Sequence, residues 1–459
     1  MSEQGELART LRGRHLSMIA IAGVIGAGLF VGSGAAIQQA GPGVLLSYLV
    51  TGALVVLVMR MLGEMSAAIP ETGSFSAYAE RALGRRAGFA IGWLYWWFWV
   101  VVIGIEATAG AAITHRWVPG VPQWVWALVL MVVLTLTNLY SVRSYGEFEF
   151  WFASIKVAAI SVFLIIGLAA IAGLLPGVEA PGLSNLTGHG GFLPNGASPV
   201  FAAMLVVVFS FFGAEIATVA AGESENPQRA VQTAVRSVVW RILVFYLGSI
   251  AVVVTLLPWD DAGVAKSPYV AVLERIGLPG AATVMDVIVL TSVLSCLNSG
   301  LYTASRMAYS LSRRAEAPAA WRRLSAKGVP FTAVLVSTVV GFGTVVLNYL
   351  WPDTIFLFLV NSSGAIAVFV WLVIAISQLR LRKQLESTTP ERLTLRMWGF
   401  PYLTWATIAG LLVLLAGMAF DDTARPQLLL SLGVAAVVLV VAVIRDRRQP
   451  GTAAERSQR

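Results

Sequence analysis

Glu106, Lys156, Glu215, Asp286 and Arg306 are among the charged side chains that stand inside long apolar runs of this 459-residue sequence. At the centre of a membrane helix each would cost about 2.5 to 3.5 kcal/mol, so a charge kept at depth is paired, reaches an interface, or works. Lys156 lies about eight residues into its run, which is about 12 Å of helix and too deep to snorkel without strain. It is expected to face the protein interior, where a buried amine can take up and release a proton. A permanently charged lysine that only fixes a helix contact is the alternative. Glu215, and Glu106 as a deeper possibility, are further candidates, against the plainer role of a hydrogen bond to a neighbouring helix. Asp286 and Arg306 lie near opposite ends of one run, where snorkelling accounts for both.

Two glycine-bearing segments supply the other candidate chemistry. Gly23-Val24-Ile25-Gly26-Ala27-Gly28-Leu29-Phe30 falls at the middle of the first apolar run, and Phe209-Ser210-Phe211-Phe212-Gly213-Ala214-Glu215 near the middle of the sixth. Glycine costs about 1 kcal/mol relative to alanine inside a helix, so both helices are expected to open there. An opened helix frees amides on one side and carbonyls on the other, and hydrocarbon offers no water to either. A zwitterion satisfies both, with its carboxylate on the half-helix N-terminus that begins near Gly28 and its ammonium on carbonyls left free nearby. Close helix packing through Gly28 and Gly32 is the alternative for the first segment. A nucleotide site is not expected, because no strand precedes the glycine run and no lysine follows a glycine in Walker fashion.

The elements that must position these residues are helices in a bilayer. Hydrophobic residues make up 57% of the chain and charged residues 12%, about half the share of an average soluble domain, and mean hydropathy is +0.77. That excludes a soluble globular protein and a disordered one. The single Cys296 permits no intrachain disulfide, and His15, His115 and His189 are too scattered for a metal cluster, so no metal and no cofactor are expected. A spanning helix needs roughly 20 mainly apolar residues, and twelve such stretches occur, at 16–39, 43–69, 87–114, 123–141, 148–175, 199–222, 236–257, 281–311, 330–350, 354–379, 399–419 and 427–444. The expected fold is an all-α integral membrane protein of twelve transmembrane helices. Five spans separate the two opened helices, so spans one to five and six to ten would run oppositely through the bilayer. Interrupted helices at matching places in an inverted repeat point to a binding site at the midplane.

An even number of spans puts both termini on one side. Of the 32 Lys and Arg, 25 fall in the tails and loops of that side, while Arg116, Lys266, Arg275 and Arg425 fall on the other. By the positive-inside rule both ends are cytoplasmic, and the net charge of +8 reflects topology rather than nucleic-acid binding. The first run is too long, and too soon followed by another, to be a secretory signal. Between the second and third runs Phe75, Tyr78, Ala79 and Ala82 share one helical face, with Ser74 to cap and Gly84 to stop a short surface helix. The fifteen tryptophans, Trp93, Trp96, Trp97 and Trp99 among them, are expected mostly at the interfaces and against lipid. Loops of at most roughly 25 residues leave no room for an appended catalytic domain.

The segments HLSMIAIAGVIGAGLFVGSG from His15, PETGSFSAYAERALG from Pro70, EFEFWFASIKV from Glu147, FSFFGAEIATVAAGESENPQRA from Phe209 and CLNSGLYTASRMAYSLSRR from Cys296 resemble the amino acid, polyamine and organocation transporter superfamily, specifically its bacterial amino acid permeases. The likeness runs from His15 to about Arg448. The last of these segments, with NSSGAIAVFVWLVIAISQLRLRK from Asn361 and LTLRMW from Leu393, most resembles the 4-aminobutyrate (GABA) permease branch.

The resemblance implies a five-plus-five inverted repeat of the LeuT kind over 16–380, two extra spans over 381–446, and cytoplasmic tails at 1–15 and 447–459. It places a substrate carboxylate on the amides of Gly26, Ala27 and Gly28 and its ammonium on the carbonyls of Val24, Phe209 and Phe212, in a site that also takes in Ser210 and Gly213. Phe209 would close over it. Many relatives carry Ser or Thr where Ala27 stands, so the weight here falls on backbone amides. In proton-coupled members a lysine at the position of Lys156 takes the place of a sodium ion, and Glu215 matches a carboxylate beside the substrate path. The expected activity is proton-coupled import of a small zwitterionic amino acid, best 4-aminobutyrate, across the cell membrane. Protons and the lipid bilayer are its other partners, and no obligate protein partner is evident. Alternatives are a permease for neutral α-amino acids such as proline, asparagine or aromatics, and a transporter-like sensor. An enzyme would need clustered His, Asp or Cys within the spans, and the sequence offers none.

Overall fold

The computed structural model describes residues 25–69, 74–140, 142–216, 232–233, 235, 240–422 and 424–448, with side chains undescribed at 142–146, 361, 447 and 448. Every regular element among them is helical. That follows from the medium, since a helix satisfies its own backbone groups where no water can. Nine helical runs among the described residues are long and apolar enough to cross a membrane, and Ser198–Phe211 and Arg241–Leu256 are shorter apolar helices.

In chain order, α1 is a π-helical turn Gly28–Gly32 running into Ser33–Ala40, and α2 is Val44–Ala68. Gly41, at φ 62°, turns the chain between them, so the unbroken apolar run 28–68 is two helices. There follow α3 (Ser74–Leu83), α4 (Arg85–Trp117), α5 (Gln123–Tyr140), α6 (Val142–Ile171), α7 (Ser198–Phe211) and α8 (Arg241–Leu256). The rest are α9 (Ala262–Lys266), α10 (Pro268–Ile276), α11 (Ala281–Arg313), α12 (Phe331–Leu350), α13 (Ile355–Thr388), α14 (Tyr402–Phe420) and α15 (Arg425–Arg448). Where described, the long helices coincide with the apolar runs of the sequence to within about four residues, except that α6 begins earlier, at Val142, and α13 runs on into the charged turn to Thr388. The surface helix also forms at Ser74–Leu83 and ends at Gly84, φ 94°.

Helix α4 is the inner post of the bundle. The most apolar stretch of α4 is 89% buried, against 17% for α15, which therefore lies at the periphery. It packs on α11, α13, α5 and α12. Gly104 makes the last contact possible, since a Cβ there would lie 2.3 Å from Thr344 Cγ2.

Three expectations are corrected. Asp286 does not snorkel: it accepts from Arg116 Nη2 at 2.6 Å and Trp117 Nε1 at 2.7 Å, tying the start of α11 to the end of α4. Arg306 is buried, its guanidinium 4.1 Å from the centre of the Tyr302 ring and hydrogen-bonded to Ser305. Trp96, Trp99 and Trp371 belong to the core, where Phe212, Phe98 and Tyr95 form one aromatic cluster with Trp99 and Trp371. Tryptophan's bulk fills an interior as readily as it anchors an interface, and its position in sequence does not distinguish the two.

Candidate functional site

Among the described residues, non-helical backbone stands at both expected places, before the start of α1 and after the end of α7. Ile25 and Gly26 precede α1 in a bend, and the Gly26 carbonyl accepts from the amides of Leu29 and Phe30. Helix α7 ends at Phe211; Phe212 is extended and Gly213, at φ 114°, takes a conformation that only glycine adopts without strain. Val24 lies outside the described residues. The glycine packing alternative is realised as well, because Cβ atoms at Gly28 and Gly32 would meet Ser210 at 2.8 Å and Val206 at 3.2 Å on the facing side of α7. Gly26 thus sits in the non-helical turn, while Gly28 and Gly32 serve the packing.

Two buried side chains hold the α1 break. Lys156 Nζ, on α6, donates to the Ile25 carbonyl at 2.7 Å. Two residues on, the Ala27 amide donates to both carboxyl oxygens of Glu106, at 3.2 and 3.1 Å, from α4. The break therefore carries an ammonium on its carbonyl side and a carboxyl on its amide side. Gly26 has to be glycine here, since a Cβ would fall 2.6 Å from Glu106 Oε1 and 2.7 Å from Cys296 Cβ. The Cys296 thiol, on α11, is a further hydrogen-bonding neighbour of Glu106.

At the second break the Gly213 amide donates to both oxygens of Glu215, at 3.1 and 3.0 Å, so this carboxyl closes the end of α7 on itself. Tyr95 Oη lies close to Glu215 and Trp99 but outside hydrogen-bonding geometry, and Trp99 Nε1 also lacks an acceptor. The Phe209 carbonyl accepts from the Phe212 amide at 3.3 Å, and the Ser210 carbonyl from Tyr246 Oη at 3.0 Å.

Gly28, Glu106, Phe209, Ser210, Phe212 and Cys296 enclose one small cavity, with Phe98, Trp99 and Val102 completing the wall. Its free room is that of about one water molecule, so a substrate must move the side chains that line it. Of the expected residues, Gly28, Phe209, Ser210, Phe212 and Glu106 line this space. Gly26 and Ala27 adjoin it through Glu106, Lys156 reaches the neighbouring Ile25 carbonyl, and Gly213 and Glu215 lie outside its wall.

The sequence reasoning passed over two buried carboxyls. Glu149 is fully buried and accepts from Ser295 and Asn298, each at 2.8 Å, and Asn298 accepts from Asn138 at 2.6 Å. It lies seven residues before Lys156 on the same face of α6 and close enough to act on the lysine's charge, a spacing of two helical turns that could have revealed it. Glu64 on α2 is bound by Arg382, by Gln378 at 2.7 Å and by the Met397 amide at 2.5 Å, joining α2 and α13 to the 393–398 segment. Among the described residues no group of His, Cys, Asp and Glu could hold a metal ion.

The sequence model of the family described as "Amino acid permease" matches residues 15–445. A gamma-aminobutyric acid permease of Bacillus subtilis (strain 168) is 57% identical over 97% of this chain and 95% of its own. A second protein of that name from Escherichia coli (strain K12) is 52% identical over 96% of each chain, and an aromatic amino acid transport protein of Corynebacterium glutamicum is 46% identical over 92% of this chain and 91% of its own. Among solved structures, a manganese transporter of Eremococcus coleocola superposes with a TM-score of 0.60 over 98% of this chain and 99% of its own, at 14% identity, which bears on the fold alone. With two breaks, a buried lysine and carboxyl on the first of them and matches that run the length of the sequence, the chain belongs to the amino acid permease family, a family of membrane transporters and not of enzymes.

Proposed function

We propose that the protein is a proton-coupled importer of a small zwitterionic amino acid and that its substrate is 4-aminobutyrate. The observation that carries the reading is the occupancy of the α1 break: Lys156 supplies an ammonium to the Ile25 carbonyl and Glu106 a carboxyl to the Ala27 amide, which are the two ends of a zwitterion on complementary backbone. The substrate carboxylate takes the Ala27 amide, with Gly26 and Gly28 beside it, and displaces Glu106. Its ammonium then meets the carbonyls of Val24, Phe209 and Phe212, with Trp99 Nε1 available as a further donor to the carboxylate. Lys156 carries the proton whose binding and release tightens or loosens the break, and Glu215 is the next candidate for that role. The relatives named for gamma-aminobutyric acid favour 4-aminobutyrate over other amino acids.

The same reading includes twelve spans in a five-plus-five inverted repeat over 16–380, discontinuous first and sixth helices, spans eleven and twelve over 381–446, and both termini in the cytoplasm. Purified protein in liposomes tests the activity. Labelled 4-aminobutyrate should accumulate under an inward pH gradient and not under a sodium gradient, and unlabelled 4-aminobutyrate should compete better than proline, asparagine or phenylalanine. An α-amino acid that competes tenfold better, about 1.4 kcal/mol, overturns the substrate assignment. Binding without uptake identifies a sensor. Lys156→Arg keeps charge but releases no proton in the working range, so pH-driven accumulation at the wild-type pH dependence in that variant removes Lys156 from the mechanism.

A further inference from the structure

A groove of about 490 Å³ opens far from the substrate cavity, between the first turns of α4, the segment that follows α11 and the last turns of α15. Its floor is apolar, formed by Phe89, Trp93, Pro318 and the Val437, Val438 and Val441 face of α15. Val437 and Val441 are 64% and 47% exposed, so the groove is open on the lipid-facing side of the bundle. One end of it runs into a charged pocket formed by Arg85, Arg86, Glu316, Arg445 and Asp446.

The charges in that pocket do not cancel. Arg86 pairs with Asp446 at 2.9 Å, and Arg314 pairs with Glu316 at 3.0 Å and Glu80 at 3.5 Å. Among the described residues two guanidinium groups of the pocket have no ion-pair partner: Arg445, which donates to the neutral Ala315 carbonyl and lies 5.5 Å from the centre of the Phe89 ring, and Arg85, which is exposed at the mouth. Both act on the same small volume, since both lie close enough to Glu316 to affect its carboxyl. The groove sits at the end of the bundle that carries the basic loops, where a membrane presents its anionic inner-leaflet headgroups.

We propose that this groove is a binding site for one anionic phospholipid of the inner leaflet, with an acyl chain along Val437 and Val441 and the phosphodiester between Arg85 and Arg445. Within a bilayer an apolar groove gains nothing by hydrophobic transfer, because lipid tails are as apolar as its walls. Selectivity therefore falls to the two arginines, and it is for net charge on the headgroup. The occupant adds a bridge between α4, α15 and the segment after α11, which already meet there through the Arg86 and Asp446 pair, the Arg445 contacts with Ala315 and Phe89, and the Trp93 bond to the Glu316 carbonyl.

Native mass spectrometry of the detergent-purified full chain, equilibrated with equal phosphatidylglycerol and phosphatidylcholine, reads the site directly. The wild type should retain one phosphatidylglycerol with about a thirtyfold preference, the order expected of two basic groups. Arg85→Gln should reduce the preference at least about threefold, and Val441→Trp, which fills the groove without touching the charges, should abolish retention of either lipid. Arg322→Gln, an exposed arginine of the same end outside the groove, should change nothing. The proposal is overturned by an unchanged preference in Arg85→Gln, by an equal loss in Arg322→Gln, which would mean diffuse attraction to basic loops, or by undiminished retention in Val441→Trp, which would mean a headgroup contact with no acyl site. Elution at the wild-type volume in gel filtration shows that each variant is folded.

Discussion

Glu106→Gln tests whether the Ala27 amide is the seat of the substrate carboxylate. In the structure this amide is taken by Glu106 through two oxygens at 3.2 and 3.1 Å, so any incoming carboxylate competes with a tethered one. A hydrogen bond to a charged acceptor contributes about 1.5 to 3 kcal/mol and one to a neutral acceptor about 0.5 to 1.5. The amide group of glutamine keeps the shape and loses the charge, so the competitor weakens by about 1.4 kcal/mol, about tenfold in an equilibrium constant. Butyrate, which has the carboxylate of 4-aminobutyrate and no amine, isolates this end of the site. Its inhibition of 4-aminobutyrate binding to purified protein should strengthen by about tenfold in Glu106→Gln. If butyrate inhibits the variant no better than the wild type, the substrate carboxylate does not use the Ala27 amide and the proposed orientation is wrong.

Gly28→Ala should insert poorly or lose uptake, since its Cβ would stand 2.8 Å from the Ser210 backbone, whereas Gly417→Ala, with open space around it, should match the wild type in both assays. Removing Arg382 as Arg382→Leu leaves Glu64 buried without its cation, and should lower stability by about 3 to 5 kcal/mol in thermal unfolding, while the pair replacement Glu64→Gln with Arg382→Leu should recover part of that loss. Burial pushes the Glu316 carboxyl, in the segment after α11, above its ordinary 4.5, with Arg314 pulling the other way. A raised folded value means that this residue's contribution to stability is complete below 4.5 and is lost as pH rises through the folded value; Glu316→Gln should flatten that slope in a melting-temperature profile. For topology, a cysteine at Ala326 in a Cys296→Ala chain should resist an impermeant thiol reagent outside intact cells and one at Ser184 should react; the reverse result would turn the protein over in the membrane.

The sequence by itself determined the helices and the places where two of them stop. Apolar runs of this length have one way to satisfy their backbone in hydrocarbon, and glycines beside polar residues mark where that ladder fails, so α2, α4 and α11 and the breaks at Gly26 and Phe212 were legible. The burial of Lys156 was legible too, because a lysine so far along an apolar run has no nearby interface to reach. What only the tertiary structure decided is which faces meet. Periodicity says that Glu106 lies on one side of α4 but not that this side looks at the Ala27 amide, and it says nothing of whether Trp99 faces lipid or Phe212. Glu149 and Glu64 were overlooked for the same reason, since a carboxyl near the end of an apolar run looks interfacial until Ser295 and Asn298, or Arg382 and Gln378, are brought onto it from helices far away in the chain. Burial of polar groups is a property of neighbours, and neighbours 146 to 318 residues apart are assigned by the packing of the bundle rather than by local sequence.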